Sequence, residues 1–339
     1  MERWKKRVRR TCVSVIILAV VLRLGGSVLP AMTEENKYQV ASFLLYLQTG
    51  YSTIPYQPAE TQPSNPLPAE TEPPVYVFPT FQEPQEVLTF SSQDAQGLGI
   101  KYGGSCRPDL GTLLEQPVEL DFSGDAPRIL IIHTHATESY TPEPGWEYTA
   151  SGNYRTLDED HNMLRVGQAM ADILNEAGIP TIHDRTLHDY PSYNSSYDRA
   201  LETIQYYLEE YPSIQMVIDV HRDAIEDSGG NQIATAAVVN GKPSAQVMLV
   251  MGTDEGGLTH PNWQDNLSWA LKLQTQMDRI YPGLARSLSL RTQRFNQHAT
   301  PGSILVEIGT AGDTLQSALT AAEAFTRMLV EIIKGLELA

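Results

Sequence analysis

"RILIIHTHATESYTP", residues 128–142, decides how the rest of the chain is read. Its first part, "RILIIH" (128–133), is short, apolar and rich in β-branched residues, the pattern of a buried strand. Its second part sets His133 and His135 at the strand's end and Glu138 three residues after the second histidine. A strand that only fills a core has no need of imidazoles and a carboxylate at its tip. A metal site does.

Outward from this stretch the chain alternates. "HNMLRVGQAMADILNEAG" (161–178) predicts a helix: Met163, Leu164, Val166, Met170, Ile173 and Leu174 form an apolar stripe, and Gly178 stops it. "IPTIHD" (179–184) predicts a second strand, "SSYDRALETIQYYLEEYP" (195–212) a helix ended by Pro212, and "IQMVIDVH" (214–221) a third strand. "ATAAVVN" (234–240) and "QVMLVMG" (246–252) look like further strands around a Gly-Lys turn at 241–242. "NWQDNLSWALKLQTQMDRIYPG" (262–283) reads as a helix, "SILVEIG" (303–309) as a strand and "TLQSALTAAEAFTRMLVEIIKGL" (314–336) as a long helix. Such alternation predicts an α/β fold, a mostly parallel twisted sheet flanked by helices. In such sheets ligands sit beyond the carboxyl ends of the strands.

Before residue 86 the sequence has a different character. "MERWKKRVRR" (1–10) holds six of the 24 bases and one of the 41 acids, so the net charge of −17 hides a more acidic remainder. Acidity excludes nucleic acid as a partner, since phosphate binding needs a basic footprint. The apolar segment 11–32 predicts a membrane anchor if Arg23 snorkels to the far interface, with the bases of 1–10 on the cytoplasmic side. A cleaved signal peptide is the rival reading. Residues 33–52 form a juxtamembrane segment with helical character, and 53–85, rich in proline and repeating "PAET", a semi-rigid stalk. The folded catalytic domain is expected over 86–339. With Cys12 in the apolar segment and Cys106 alone beyond it, the exported part has no internal disulfide.

Three strands carry polar residues at or near their carboxyl ends: "HTHATE", "DVHRDA" (219–224) and "LVEIG" (305–309). Two imidazoles and a carboxylate are a recurrent zinc ligand set that leaves a position open for water. A second carboxylate then manages protons. The metal set is His135, Glu138 and His221, with Glu307 as catalytic base and an aspartate beside His221 as an orienting partner. A salt bridge to an arginine such as Arg222 is the structural alternative for Glu307, which is costly to bury alone. Manganese or iron would also suit His and carboxylate donors. His298, Arg222 and His133 are candidate contacts to substrate or transition state. For His298 a loop-packing role stands beside that one, and His133 competes with His135 as ligand. For Tyr140 and Asn162 a structural role is favoured over a contact to substrate. Trp146 and Tyr148 either stack on a sugar or pack, and His161, His183, His188 and His260 read as surface or structural.

"HTHATESYTP", "LHDYPSYNSSYDRAL", "DVHRDAI", "HPNWQDNLSWALKLQ", "YPGLARSL" and "RFNQHATPGSILVEIGT", in this order and behind a basic N-terminal segment, resemble the stage II sporulation protein P family of endospore formers over roughly residues 125–335. The resemblance implies a zinc-dependent peptidoglycan hydrolase with the fold of the N-acetylmuramoyl-L-alanine amidases. It implies cleavage of the amide between N-acetylmuramic acid and L-alanine, and of stem-peptide cross-links, during forespore engulfment. It places the enzyme as a single-pass protein of the mother-cell membrane, its catalytic domain facing the intermembrane space. The implied partners are the lytic transglycosylase of the same stage and a membrane scaffold protein. It assigns His135, Glu138 and His221 to the metal and Glu307 to catalysis. In the wider amidase fold the acidic ligand often lies later, which keeps Asp158 and Glu159 in reserve. A zinc carboxypeptidase, and a catalytically inactive wall-binding scaffold, remain the alternatives.

Overall fold

Ile129–Ile132 offers no polar side chain on either face, and all four residues are fully buried. The computed structural model describes residues 88–337 apart from Gly152, all within the compact unit Pro79–Ala339. The basic segment, anchor, juxtamembrane segment and stalk expected over 1–85 lie outside the described residues. Among the described residues no helix is long and apolar enough to cross a membrane.

In chain order the strands are β1 (Ile100–Tyr102), β2 (Ile129–Ile132), β3 (Thr181–His183), β4 (Met216–Asp223), β5 (Ala237–Val239), β6 (Lys242–Ser244), β7 (Val247–Gly252), β8 (Leu288–Arg291) and β9 (Ile304–Thr310). The helices are α1 (Leu110–Glu115), α2 (Met163–Glu176), α3 (Ser196–Glu210), α4 (Trp263–Ile280) and α5 (Leu315–Glu337). Seven strands share one sheet in the order β1-β8-β7-β9-β4-β2-β3. Every neighbouring pair is parallel except β7 with β9. The fold is therefore the mostly parallel α/β sheet that the alternation predicts, split into two blocks of opposite direction.

The expected strands and helices form within two or three residues of their predicted bounds, with one revision. "ATAAVVN" contributes only β5, which pairs with β6 in a separate hairpin. Asn240 and Gly241, at φ 50° and 77°, make its two-residue turn, the left-handed pair that suits hairpin twist. The sequence reading missed β1, β6, β8 and α1, and took Lys242 of β6 as part of a turn. β1 and β8 are three and four residues long, too short for a period to show.

Side chains alternate across a strand, and this sorts the two faces. Leu130 and Ile132 of β2 and Val217 of β4 pack with Ala200 and Ile204 of α3. Residues 219 and 221 share Val217's face, so they reach the α3 side near the carboxyl end of β4. On the other face α2 comes so close that a Cβ on Gly167 would lie 2.3 Å from His133 Nε2.

Candidate active site

β4 and β9 lie side by side with His221 opposite Glu307 in register. Parallel register partners project to the same face, so the imidazole and the carboxyl share the α3 side. Asp219, two residues back, brings Oδ1 to 2.9 Å from His221 Nε2, a close ion-pair contact that is not aligned as a hydrogen bond. Asp219 is itself fixed from β2's end: it accepts from Thr134 N at 2.8 Å and from Thr134 Oγ1 at 2.7 Å.

The stretch after β2 brings in the other two residues. It turns at once, with Glu138 N donating to His135 O at 3.1 Å. Glu138 Oε2 then lies 3.5 Å from His221 Nδ1, and Arg155 Nη2 donates to Glu138 Oε1 at 3.1 Å. The His135 ring stands edge-on to His221, centroids 5.3 Å apart at 89°. Ser196 Oγ, at the start of α3, lies 3.3 Å from His135 Nδ1, leaving the other ring nitrogen unused. His135, Glu138, His221 and Asp219 are all buried.

The electrostatics have a definite sense. Burial alone would push the His221 imidazole down, but the carboxylates of Asp219 and then Glu138 reverse this and hold it well above its usual value. Burial would raise Asp219 and Glu138. The cationic His221 outweighs it in both, with Arg222 adding to the effect on Glu138, and each carboxyl falls to about 2. Burial lowers His135 to about 4. Burial pushes the Glu307 carboxyl up to about 8; its Oε2 has no hydrogen-bond partner. The salt bridge that would make Glu307 structural does not form.

This pattern asks for positive charge. With Nε2 turned to Asp219, His221 presents Nδ1 to another acceptor, Glu138 Oε2; a proton or a cation must lie between them. Among the described residues no group of three or more His, Cys, Asp or Glu stands as a ready-made metal site. The donor types and their fixed outer partners nevertheless fit one. His221 rests on Asp219, His135 on Ser196 and Glu138 on Arg155, and each keeps a donor atom unused by these partners.

The other candidates fall elsewhere. His133 is fully buried; Nδ1 donates to Val220 O at 2.9 Å and Nε2 meets His183 Nε2 at 2.9 Å. Both nitrogens are occupied, so it is neither a ligand nor a substrate contact. Arg222, expected at the substrate, is buried. It donates to Ser139 O at 2.9 Å and to Asn153 O and Tyr154 O at 3.0 Å each, and so holds the excursion after β2 in place; it also stands against the site from behind, with Nη1 3.8 Å from Glu138 Oε1 and its main-chain N–H donating to Glu138 Oε2 at 3.4 Å. His298 lies in the short helical turn before β9, with a buried Nδ1 that has no hydrogen-bond partner. Asp158 pairs with His161 and Glu159 with Arg185, both on the surface; of the three acids, Glu138 is the one brought to the histidines. Tyr140 donates to Ile308 O at 2.8 Å and Asn162 caps α2, as structural residues do. Tyr148 and Trp146 pack against His161. His188 and His260 are buried rather than on the surface. The sequence reading missed Arg155, Ser196, Tyr193 and Tyr197. Tyr193 stacks on His135 at 4.4 Å, and Tyr197 stands edge-on to it at 5.6 Å.

Sheet and cluster together define an α/β protein with a buried carboxylate–imidazole centre toward the carboxyl ends of adjoining parallel strands. Residues 69–330 match the family described as Stage II sporulation protein P (SpoIIP), and the chain belongs to that family. It is 25% identical over 222 residues to stage II sporulation protein P of Bacillus subtilis (strain 168). That match covers 62% of this chain and 52% of the relative, so the chain spans about half the length of the curated relative it matches. Among solved structures it is similar to the CwlD amidase from Clostridioides difficile in complex with the GerS lipoprotein. The TM-score there is 0.36 at 12% identity, over 62% of this chain and 97% of that one. It is also similar to the N-acetylmuramoyl-L-alanine amidase AmiC2 of Nostoc punctiforme, with TM-score 0.36 at 14% identity, over 63% of this chain and 98% of that one.

Proposed function

We propose that the chain is a peptidoglycan hydrolase of sporulation that cleaves the amide between N-acetylmuramic acid and L-alanine, with stem-peptide cross-links as a second target. Membership of the family supports the biological setting. The observation that carries the chemistry is His221 set between the carboxyls of Asp219, at 2.9 Å, and Glu138, at 3.5 Å, with Glu307, one oxygen of which lacks a partner, opposite it in register.

His135, Glu138 and His221 would hold zinc. When bound there, zinc polarises the scissile carbonyl and the attacking water and keeps Glu307 ionised. Glu307 takes a proton from the water as its oxygen bonds to the carbonyl carbon. It returns that proton to the amide nitrogen as the C–N bond breaks, leaving a carboxylic acid and an amine, which part as carboxylate and ammonium once the acid proton passes to the amine. Asp219 fixes the ring orientation of His221, Ser196 that of His135, and Arg155 the carboxylate of Glu138. In the cell, residues 11–32 would anchor the enzyme with its catalytic domain outside the cytoplasm. The lytic transglycosylase and the scaffold protein of the same stage would be its partners. Protease accessibility in protoplasts tests that sidedness: a shielded catalytic domain would refute it.

The test of activity is mass spectrometry of soluble products from purified peptidoglycan, with and without a chelator. Free stem peptides and peptide-free glycans, lost on chelation and restored by zinc, are the expected result. Single amino acids released from peptide ends would show a carboxypeptidase instead. Wall binding without any product would show a scaffold.

A further inference from the structure

The segment 190–197, "YPSYNSSY", holds three tyrosines, three serines, an asparagine and a proline, and no charge, in a chain of net charge −17. It runs from the tip of the β3–α3 connection into the first turn of α3. Two of its tyrosines face water beside the site. Tyr193 is 57% exposed and Tyr190 43%, although the Tyr193 ring also rests on His135 at 4.4 Å and 14° and has the Arg155 guanidinium 5.0 Å from its centroid.

The loop that presents them is held at both sides. Arg199 donates to the backbone oxygens of His188 at 2.6 Å and Asn194 at 3.1 Å, and also to that of Ser192. At its start, Asp189 accepts from Arg155 at 2.6 Å and from Thr137 Oγ1 at 2.6 Å. Large apolar rings kept in water by a loop with this many ties are preorganised for a ligand, because their ordering entropy is already lost.

We propose that Tyr190 and Tyr193 form a stacking platform for the glycan strand of the substrate, next to the reacting centre. The inference rests on the peptidoglycan reading of the site. The apolar C–H face of a pyranose packs on an aromatic face, and neighbouring hydroxyl and amide groups answer its hydroxyls; tyrosine, serine and asparagine together supply both. A stem peptide, which carries carboxylates, calls for free cations instead. The two arginines at this loop are committed: Arg155 to Glu138 and Asp189, and Arg199 to backbone oxygens.

The experiment is calorimetric titration of the full chain with a peptide-free tetrasaccharide of alternating N-acetylglucosamine and N-acetylmuramic acid, and separately with a free stem tripeptide. Zinc content and wall hydrolysis are measured on the same samples. Tyr193→Ala should weaken tetrasaccharide binding by about tenfold, the value of one lost aromatic stack, while Tyr193→Trp keeps it and zinc content stays unchanged. If Tyr193→Ala loses zinc, Tyr190→Ala decides, and unaltered tetrasaccharide affinity there overturns the platform. A wild type that binds no tetrasaccharide also overturns it, as does a loss confined to the tripeptide. Tyrosine-dependent glycan binding in a chain that releases no stem peptide would sink the hydrolase reading and leave the platform standing. Full hydrolysis with tyrosine-independent binding would do the reverse.

Discussion

A carboxyl that burial pushes to about 8, with one oxygen lacking a partner, is expensive unless something uses it. Glu307→Gln keeps the shape and removes the proton chemistry. It should lower turnover by about 10²–10⁴ while leaving zinc content and the thermal midpoint in place; retained turnover in a digestion assay would remove Glu307 from the mechanism. This residue was legible in the sequence, because a glutamate inside "SILVEIG" is costly to bury and has a salt bridge as its one bland explanation. So were His135, Glu138 and His221, each at or near the end of a recognisable strand. Their supports were not. Ser196 reaches His135 across 61 positions of chain, and nothing in the local pattern of "YNSSYD" announces that. Arg222 and His133 show the opposite failure. They sit beside the right residues in sequence, yet alternation and burial give His133 only structural partners and turn Arg222 to main-chain oxygens and to the back of Glu138.

At the scale of elements, α2 meets the sheet at Gly167, where a Cβ would lie 2.3 Å from His133 Nε2 and 2.7 Å from His183 Nε2. In an open helix Gly→Ala is favourable by about 0.5–1 kcal/mol. Here overpacking of about 1–3 kcal/mol opposes it, and the His133 ring cannot yield while tied to Val220. Gly167→Ala should therefore destabilise by about 1–2 kcal/mol, seen as a lower urea midpoint; a higher midpoint would show that the helix can shift. Two further histidines make stability depend on pH. Burial lowers His183 and His260 to about 4 from an ordinary 6.5. Between those values the unfolded chain binds protons that the folded chain refuses, so stability falls with falling pH over that window and is complete above it. His260→Leu should flatten part of the fall in urea midpoints between pH 7 and pH 4.5; an unchanged slope would mean that His260 titrates normally in the folded protein. Helices and inner strands of this architecture were readable from period and composition. The antiparallel junction of β7 with β9 was not, because strand direction is set by crossovers rather than by the residues of the strand.

For the whole molecule, the site joins two segments far apart in the chain, the stretch after β2 and the pair β4–β9. A cation that binds both should couple to global stability. At about 100 times its Kd, zinc would add about 2.7 kcal/mol, roughly 5–10 °C in the midpoint of a chain this size. Differential scanning fluorimetry with and without zinc should show that shift, reduced in Asp219→Asn and absent in His221→Ala; an equal shift in all three would place the ion elsewhere. Arg222 does a related task with a different reach. It holds the excursion through three main-chain oxygens, those of Ser139, Asn153 and Tyr154, and a carbonyl is the same on every residue. Apart from its ion pair with Glu138 Oε1 at 3.8 Å, the clasp is blind to the sequence it holds. The exposed positions Pro144, Glu147 and Thr149 are thus open to drift, and a library randomised there should yield mostly soluble, folded members. In an Arg222→Lys background, with one ammonium in place of a planar fork, the same library should lose most of them. That makes this border of the site a place where new specificities can be tried without rebuilding the centre.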